Sequence, residues 1–158
     1  MSSAAAEFVH LHVHSEYSLA DGLLKVKDIV NRAAAAGMPA VALTDRNNLF
    51  ALVKFFEACM AQGVKPILGA EVSVQETAEG VVERVLLLAR NLEGYRNLLA
   101  LISASYTTTA QRGVLQEQEI FAAKAGLIVL SGGVRGHLWS LLSKGDREQA
   151  RLRAERWQ

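Results

Sequence analysis

The sequence predicts an α/β fold in which parallel strands alternate with helices. Short apolar runs such as Ala40–Leu43 and Leu127–Leu130 have the length and composition of buried strands. Between such runs lie amphipathic stretches in which apolar residues recur at helical spacing. Gly37 and Gly63 mark the ends of two of these stretches. Strands and helices in alternation form parallel β/α units, either in a barrel or in an open doubly wound sheet.

The first predicted strand, residues 8–14, carries three histidines at every second position. Because side chains alternate between the two faces of a strand, His10, His12 and His14 would share one face. A packed layer would bury the three apolar residues of the other face, which are Val9, Leu11 and Val13. Imidazole is a common ligand of transition metals, so two histidines of one strand can reach a single ion.

The next elements are two helices and two strands. Apolar residues at helical spacing predict a helix that begins near Val26 and stops at Gly37 and Pro39. The strand at residues 40–43 ends at Thr44-Asp45, and Asn47 or Asn48 can cap the following helix. That helix would bury one stripe, formed by Leu52, Phe55, Phe56 and Cys59. Residues 65–74 are then expected to form a strand.

The second half of the chain again contains predicted strands and helices. Residues 85–89 predict a strand, and residues 92–102 predict a third amphipathic helix with a buried stripe of Leu92, Tyr95, Leu98, Leu99 and Ile102. An irregular stretch at 107–114 precedes a helix at 117–124, a strand at 127–130 and a turn at 131–133. Residues 134–157 are mostly helical, and the arginines near the end alternate with carboxylates, which favours a solvated face over a phosphate-binding stripe.

Length and composition indicate one cytoplasmic globular domain. The chain has 158 residues, 51% of them apolar, and a formal net charge of +1. A net charge this close to zero does not indicate an overall basic protein that would bind nucleic acid or an anionic membrane. One cysteine excludes a disulfide framework and fits a reducing compartment. We expect residues 1–7 to be a disordered N-terminus, and residues 8–158 to be one domain.

Size also bears on the architecture. A closed β/α barrel takes about 250 residues, which is more than this chain has. The chain moreover ends at Gln158 inside a predicted helix. The sequence therefore favours either an open sheet or the first part of a barrel.

Polar side chains follow the predicted strands, where β/α proteins collect their functional groups. His12 and His14 end the first strand, Asp45 ends the second, Glu71 lies late in the third, and Asp21 lies in the first loop. Histidines and carboxylates that converge from several strands have the composition of a hydrolytic metal centre. Each also has a structural explanation: histidines can be hydrogen-bonded core residues, Asp21-Gly22 suits a turn, and Asp45 can balance a helix dipole.

These motifs together resemble a known family. The run Phe8–Ser18, Asp21-Gly22, Ala42-Leu43-Thr44-Asp45 and Lys65–Glu71 are similar to the N-terminal PHP (polymerase and histidinol phosphatase) domain of bacterial replicative DNA polymerase III alpha subunits. Further matches are Asn47–Phe50, Leu52–Phe55, Asn91–Leu98 and Gly126–Gly132. The resemblance implies a distorted seven-stranded β/α (TIM-like) barrel, of which this chain supplies only the N-terminal part.

The resemblance also implies a metal centre that has lost ligands. Four residues match the family's ligands and are expected to be vestigial or weak: His12, His14, Asp21 and Glu71. At three other ligand positions this chain has Arg46 and Arg84 in place of histidine, and Gly133 in place of cysteine. Arginine stays protonated and has no lone pair for a metal, but it can neutralise a carboxylate. We therefore expect Arg46 and Arg84 to form salt bridges with Asp21 and Glu71.

The implied function is that of a scaffold within a DNA-directed DNA polymerase. No catalytic residue is expected in this segment and it requires no cofactor, although residual Zn or Mn binding is open; Mg would serve the parent polymerase. The implied partners are the proofreading exonuclease subunit, other replicase subunits and, through the polymerase alone, DNA, with no membrane. The alternative is an active metal-dependent phosphoesterase or 3′–5′ exonuclease that uses His12, His14, Asp21 and Glu71.

Overall fold

A computed structural model describes residues 8–77, 80–107 and 111–158. The expected disordered N-terminus, residues 1–7, and part of the irregular stretch at 107–114 lie outside these ranges. The chain forms two compact units, residues 1–70 and 71–158.

The first unit contains two helices packed on a pair of parallel strands. A 3-10 turn at Glu16–Ser18 precedes α1 (Val26–Ala35), β1 (Ala40–Leu43) and α2 (Leu52–Gln62), and β2 (Lys65–Gln75) begins in this unit. β1 pairs in parallel with β2, with Ala40 opposite Lys65. The core lies between these elements and includes Val30, Leu43, Phe55 and Cys59.

The second unit continues from the last part of β2. Its elements are β3 (Glu83–Ala89), α3 (Leu92–Thr107), β4 (Val114–Gln116), α4 (Glu117–Ala122), β5 (Leu127–Leu130), α5 (His137–Ser143) and α6 (Arg147–Arg156), with a 3-10 turn at Gly133–Arg135. β4 pairs in parallel with β2, whereas β5 pairs antiparallel with β3.

The α/β class is confirmed, but a seven-stranded barrel is not. The described strands follow the open order β1-β2-β3-β5, with β4 added on β2. The expectation of purely parallel strands is wrong because β5 runs against β3. The connection from β3 through α3, β4 and α4 returns the chain to the end at which β3 stops, since Leu127 lies opposite Ala89.

The predicted first strand is not a regular strand. Residues 8–14 form no regular element, although the backbone N–H groups of Ala42 and Thr44 donate to the carbonyls of His10 and Val13 at 2.9 Å. A step of two residues from Ala42 to Thr44 thus matches a step of three residues from His10 to Val13, which interrupts the ladder as a bulge does. Leu11 remains 39% exposed, so the expected burial of the apolar face is only partial.

Three helical details also differ from expectation. α2 begins at Leu52 without a side-chain cap, because the Oδ1 atom of Asn48 accepts from the N–H of Phe50, ahead of the helix. The side-chain amide of Asn48 donates to the carbonyls of Tyr17 and Arg46. Phe56 is half exposed rather than buried. In α3, Leu92 and Leu99 face solvent, and the buried side of the helix is formed by Gly94, Leu98, Leu101, Ile102 and Ser105.

Within the described ranges, every helix is too short or too polar to cross a membrane.

Candidate metal centre

His12 and His14 form a pair of imidazoles in the first unit. Their Nε2 atoms are 3.3 Å apart and their ring centroids 5.0 Å apart. Two nitrogens bound to one tetrahedral zinc ion at 2.0–2.1 Å are separated by about 3.3–3.4 Å. The two imidazoles therefore already have the spacing of a chelate and can hold a metal ion together.

The backbone that carries this pair is anchored by two polar residues after β1. The Thr44 hydroxyl donates to the carbonyl of Val13 at 3.1 Å and accepts from its N–H at 3.0 Å. The Asp45 carboxylate accepts from the N–H and hydroxyl of Ser15 and from the hydroxyl of Ser18, each at 2.7 Å. Asp45 is 2% exposed, so these hydrogen bonds take up the lone pairs of a buried charge.

Asp45 is therefore assigned a structural role by its contacts. From the sequence, Asp45 was expected either to bind a metal or to balance a helix dipole. Its role in anchoring the loop at 15–18 was not predicted. The signal that could have found it is the pair Ser15 and Ser18 in the loop after the histidines, since short hydroxyl side chains are common donors to a buried carboxylate.

Asp21 lies in the following loop and pairs with Arg46. The Arg46 Nη1 atom is 2.8 Å from Asp21 Oδ2, and the two side chains are 35% and 26% exposed. The next residue, Gly22, is required by packing, because a Cβ there would lie 1.7 Å from the Ser15 carbonyl oxygen. In this fold the ion pair with Arg46 accounts for the aspartate, and the close approach to Ser15 accounts for the glycine.

Glu71 belongs to the second unit and pairs with Arg84. Glu71 Oε2 lies 3.2 Å from Arg84 Nη1, and the side chains are only 3% and 13% exposed. β2 supplies the carboxylate and β3 the guanidinium. Both ion pairs expected from the two arginine substitutions are present, so this expectation is confirmed.

The third substituted position, Gly133, carries no ligand atom. It opens the 3-10 turn after β5 with φ of +61°, and a Cβ added there would have open space around it. A cysteine would fit sterically but would be forced into the left-handed region that L-residues avoid. The predicted turn at residues 131–133 is confirmed, with positive φ at both Gly132 and Gly133.

An open, mostly apolar cavity of about 790 Å³ adjoins the histidine pair within the first unit. His10, His12 and His14 line it together with Asp21, and apolar side chains such as Leu23, Leu24, Ile29 and Met38 form much of the rest. The imidazoles are consequently accessible to ions and small molecules.

The sequence model of the PHP domain family matches residues 10–158. The chain belongs to this family. Relatives named DNA polymerase III subunit alpha match almost the whole chain: the Pseudomonas fluorescens protein is 39% identical over 155 residues, which are 96% of this chain and 13% of that protein. The Vibrio cholerae protein is 44% identical over 90% of this chain and 13% of that protein, and the Escherichia coli K12 protein is 44% identical over 88% and 12%. The chain thus spans about an eighth of the length of these relatives.

A solved structure supports the fold. A two-domain Bacteroides vulgatus protein containing a predicted PHP-like metal-dependent phosphoesterase superposes with a TM-score of 0.52 over 82% of this chain and 36% of that one. The identity is 16%, so the likeness concerns the fold alone. The family match and the curated relatives identify the chain as a PHP-domain fragment that corresponds to the N-terminal region of the alpha subunit.

Proposed function

We propose that this chain is a structural PHP domain of a bacterial replicative polymerase alpha subunit and that its metal centre is a remnant. The observation that carries the proposal is the pairing of Asp21 and Glu71 with arginines. Carboxylates that would neutralise a metal ion instead neutralise guanidinium groups of the same chain.

The chemistry of the site supports this reading. A hydrolytic metal centre lowers the pKa of a bound water and stabilises charge on a phosphoryl oxygen. Arginine can supply positive charge to a phosphoryl oxygen, but it cannot bind and ionise a water. With Arg46, Arg84 and Gly133 at three ligand positions, His12 and His14 are left as a chelate for one ion of residual Zn or Mn, with Asp21 and Glu71 as vestigial ligands.

The metal content of the protein tests whether its metal centre is a remnant. The protein is purified, dialysed against buffer with and without added Zn or Mn, and analysed by mass spectrometry of the metals. We expect at most one weakly held ion per chain, lost in His12→Ala. Two or three stoichiometric ions that persist through dialysis would contradict the proposal.

The second candidate function is a metal-dependent phosphoesterase or 3′–5′ exonuclease. The preset spacing of the His12 and His14 nitrogens favours it, because this part of an active site would need no rearrangement. Hydrolysis of a nitrophenyl phosphate ester and of a labelled oligonucleotide is measured with added Mn or Zn. Metal-dependent turnover that disappears in His12→Ala would establish this activity; equal rates in both proteins, at background level, support the scaffold.

The scaffold role is proposed to act inside a replicase in the bacterial cytoplasm. The whole protein would add deoxynucleotides with release of pyrophosphate and would use Mg for that step. The PHP domain would stabilise the polymerase module and contact the proofreading exonuclease subunit. DNA would be bound by the polymerase, which agrees with the net charge of +1 on this segment.

Co-precipitation with the exonuclease subunit tests the partner. We expect the tagged protein to retain the exonuclease, and a His12→Ala/His14→Ala variant to retain the same amount, because the proposed contact requires no metal. Failure of the unaltered protein to retain the exonuclease would remove the scaffold assignment, whereas loss in the double variant alone would make binding metal-dependent.

A further inference from the structure

Helix α6 is attached to the second unit through charges that the proposed function does not use. Glu76 follows β2, Glu83 begins β3, and Glu117 begins α4 directly after β4. Because Gln75 of β2 lies opposite Gln116 of β4 in a parallel pairing, the chain positions Glu76 and Glu117 next to each other. These three carboxylates are called the acidic triad below.

Two arginines of α6 insert into the acidic triad. Arg153 contacts all three carboxylates, with a distance of 3.3 Å to Glu83 and closer contacts to Glu76 and Glu117. Arg156 contacts Glu76 and lies 3.3 Å from Glu117. The hydrogen bond from Arg156 also lowers the pKa of the Glu76 carboxyl below its usual value of 4.5.

Burial makes this network different from an ordinary surface ion pair. Glu117 is 0% exposed and Arg153 is 16% exposed. Little water reaches Glu117 and Arg153, so these two depend on each other for compensation. Glu76 and Arg156 are 42% and 41% exposed, so salt can screen this half of the network. The triad carries three negative charges against two guanidinium groups, and Glu83 also accepts a hydrogen bond from the Ser140 hydroxyl at 3.0 Å.

Apolar burial contributes little to the attachment of α6. Among the residues of this helix, all of which the structure describes, Ala150 is the buried one. At its C-terminal end the half-buried Trp157 packs against Phe121, with ring centroids 4.9 Å apart. A helix with a single buried alanine gains little from the hydrophobic effect, which scales with the apolar area removed from water.

We propose that α6 is an electrostatically held strap over the acidic triad, which opens as a unit when ionic strength rises while the rest of the second unit stays folded. Salt shortens the range of charge interactions from about 30 Å at 0.01 M to about 3 Å at 1 M ionic strength. Opening uncovers Glu117 and the ends of β2 and β4. The Glu117 carboxylate, which is 0% exposed beneath α6, is therefore presented only in the open state.

Hydrogen–deuterium exchange of the purified protein tests the strap. Amide exchange in residues 147–157 is compared between 20 mM and 1 M sodium chloride, with β3 as the internal reference. We expect exchange of α6 to rise roughly tenfold at high salt while exchange of β3 changes little, since the strap opens locally. Equal protection of α6 at both salt concentrations, or a parallel loss in α6 and β3, would overturn the proposal.

Two variants of α6 distinguish the loss of contacts to the acidic triad from a general effect of removing a positive charge. In Arg153→Gln, α6 should exchange rapidly already at 20 mM salt and lose its salt dependence. Arg151→Gln removes an equally charged residue that pairs with Glu148 and Glu155 on the solvent side, so it should retain both protection and salt dependence. The same behaviour in both variants would contradict the proposal.

A fluorescence measurement covers the case in which Arg153→Gln fails to fold. In a Trp139→Phe background with all arginines intact, Trp157 reports on the contact with Phe121. Its emission should shift to the red between low and high salt, over the range of salt concentrations in which exchange of β3 is unchanged. A fixed emission maximum would contradict opening of the strap.

Discussion

The pairs Arg84–Glu71 and Arg46–Asp21 arise from the same kind of substitution but differ in their surroundings. Both place a guanidinium at a position where the resemblance to the family implies a ligand histidine, and both pair it with a carboxylate. The Arg84–Glu71 side chains are 13% and 3% exposed, whereas those of Arg46–Asp21 are 35% and 26% exposed. Burial, and not the chemistry of the pair, should decide how much each arginine matters for stability.

The largest expected effect is that of Arg84→Ala. Removing the guanidinium leaves Glu71 as a buried charge without this partner, and the expected loss is about 3–5 kcal/mol of unfolding free energy. Urea denaturation at neutral pH measures it. Arg90→Ala is the matched control, because Arg90 follows the same strand and is exposed. Equal losses in the two variants would show that the Arg84 pair contributes no more than a surface charge.

Replacing both partners distinguishes charge from packing at this site. In Arg84→Met with Glu71→Met no buried charge remains, and buried ion pairs replaced in this manner are often neutral or more stable. We expect most of the stability lost in Arg84→Ala to return. A double variant as unstable as Arg84→Ala would indicate that the shape of the arginine side chain, and not its charge, supports the fold.

An intermediate effect is expected for Gly133→Cys. The left-handed backbone at this position disfavours any residue with a Cβ by about 1–2 kcal/mol. Gly133→Ala should cost the same, since the space around the position is open and the thiol adds no clash. Thermal unfolding compares the two variants, and a loss confined to cysteine would attribute the effect to the sulfur instead of the backbone.

The smallest effect is expected for Arg46→Ala. The exposed pair with Asp21 should contribute about 0–1 kcal/mol, and salt should reduce that contribution. Urea denaturation of Arg46→Ala, Asp21→Asn and the double variant at low and high salt gives the coupling between the two side chains. A coupling as large as that at Arg84, or one independent of salt, would mean that exposure does not explain the difference between the pairs.

The sequence predicts the local elements of this fold better than its long-range contacts. β1 and the ends of α1 and α2 follow from apolar runs and from Gly37 and Gly63, because those signals act within a few residues. The antiparallel direction of β5 could not be predicted, since it depends on how distant segments meet. The irregular hydrogen bonding of residues 8–14 is likewise set by the offset against β1.

In the candidate site and in α6, too, some contacts follow from the sequence and others depend on distant segments. The partners of Arg46 and Arg84 were predictable because the resemblance supplied the positions and charge neutralisation supplied the pairing. The arginines of α6 were predicted to lie on a solvated face, which is right for Arg151 but wrong for Arg153. These two residues are two positions apart, and thus on different faces of the helix, but the sequence does not show which face meets carboxylates 36 to 77 residues away.

The hydrogen bonds of Asp45 have a consequence for how such a domain can change over time. They fix the loop after the histidines through protein groups alone, so the backbone beneath the imidazole pair does not depend on a bound ion. Ligands elsewhere in the site can then be exchanged one at a time while the domain remains folded at every step. A site supported in this way can lose ligands through a series of folded intermediates, and the spacing of the imidazole pair can be retained after other ligands are gone.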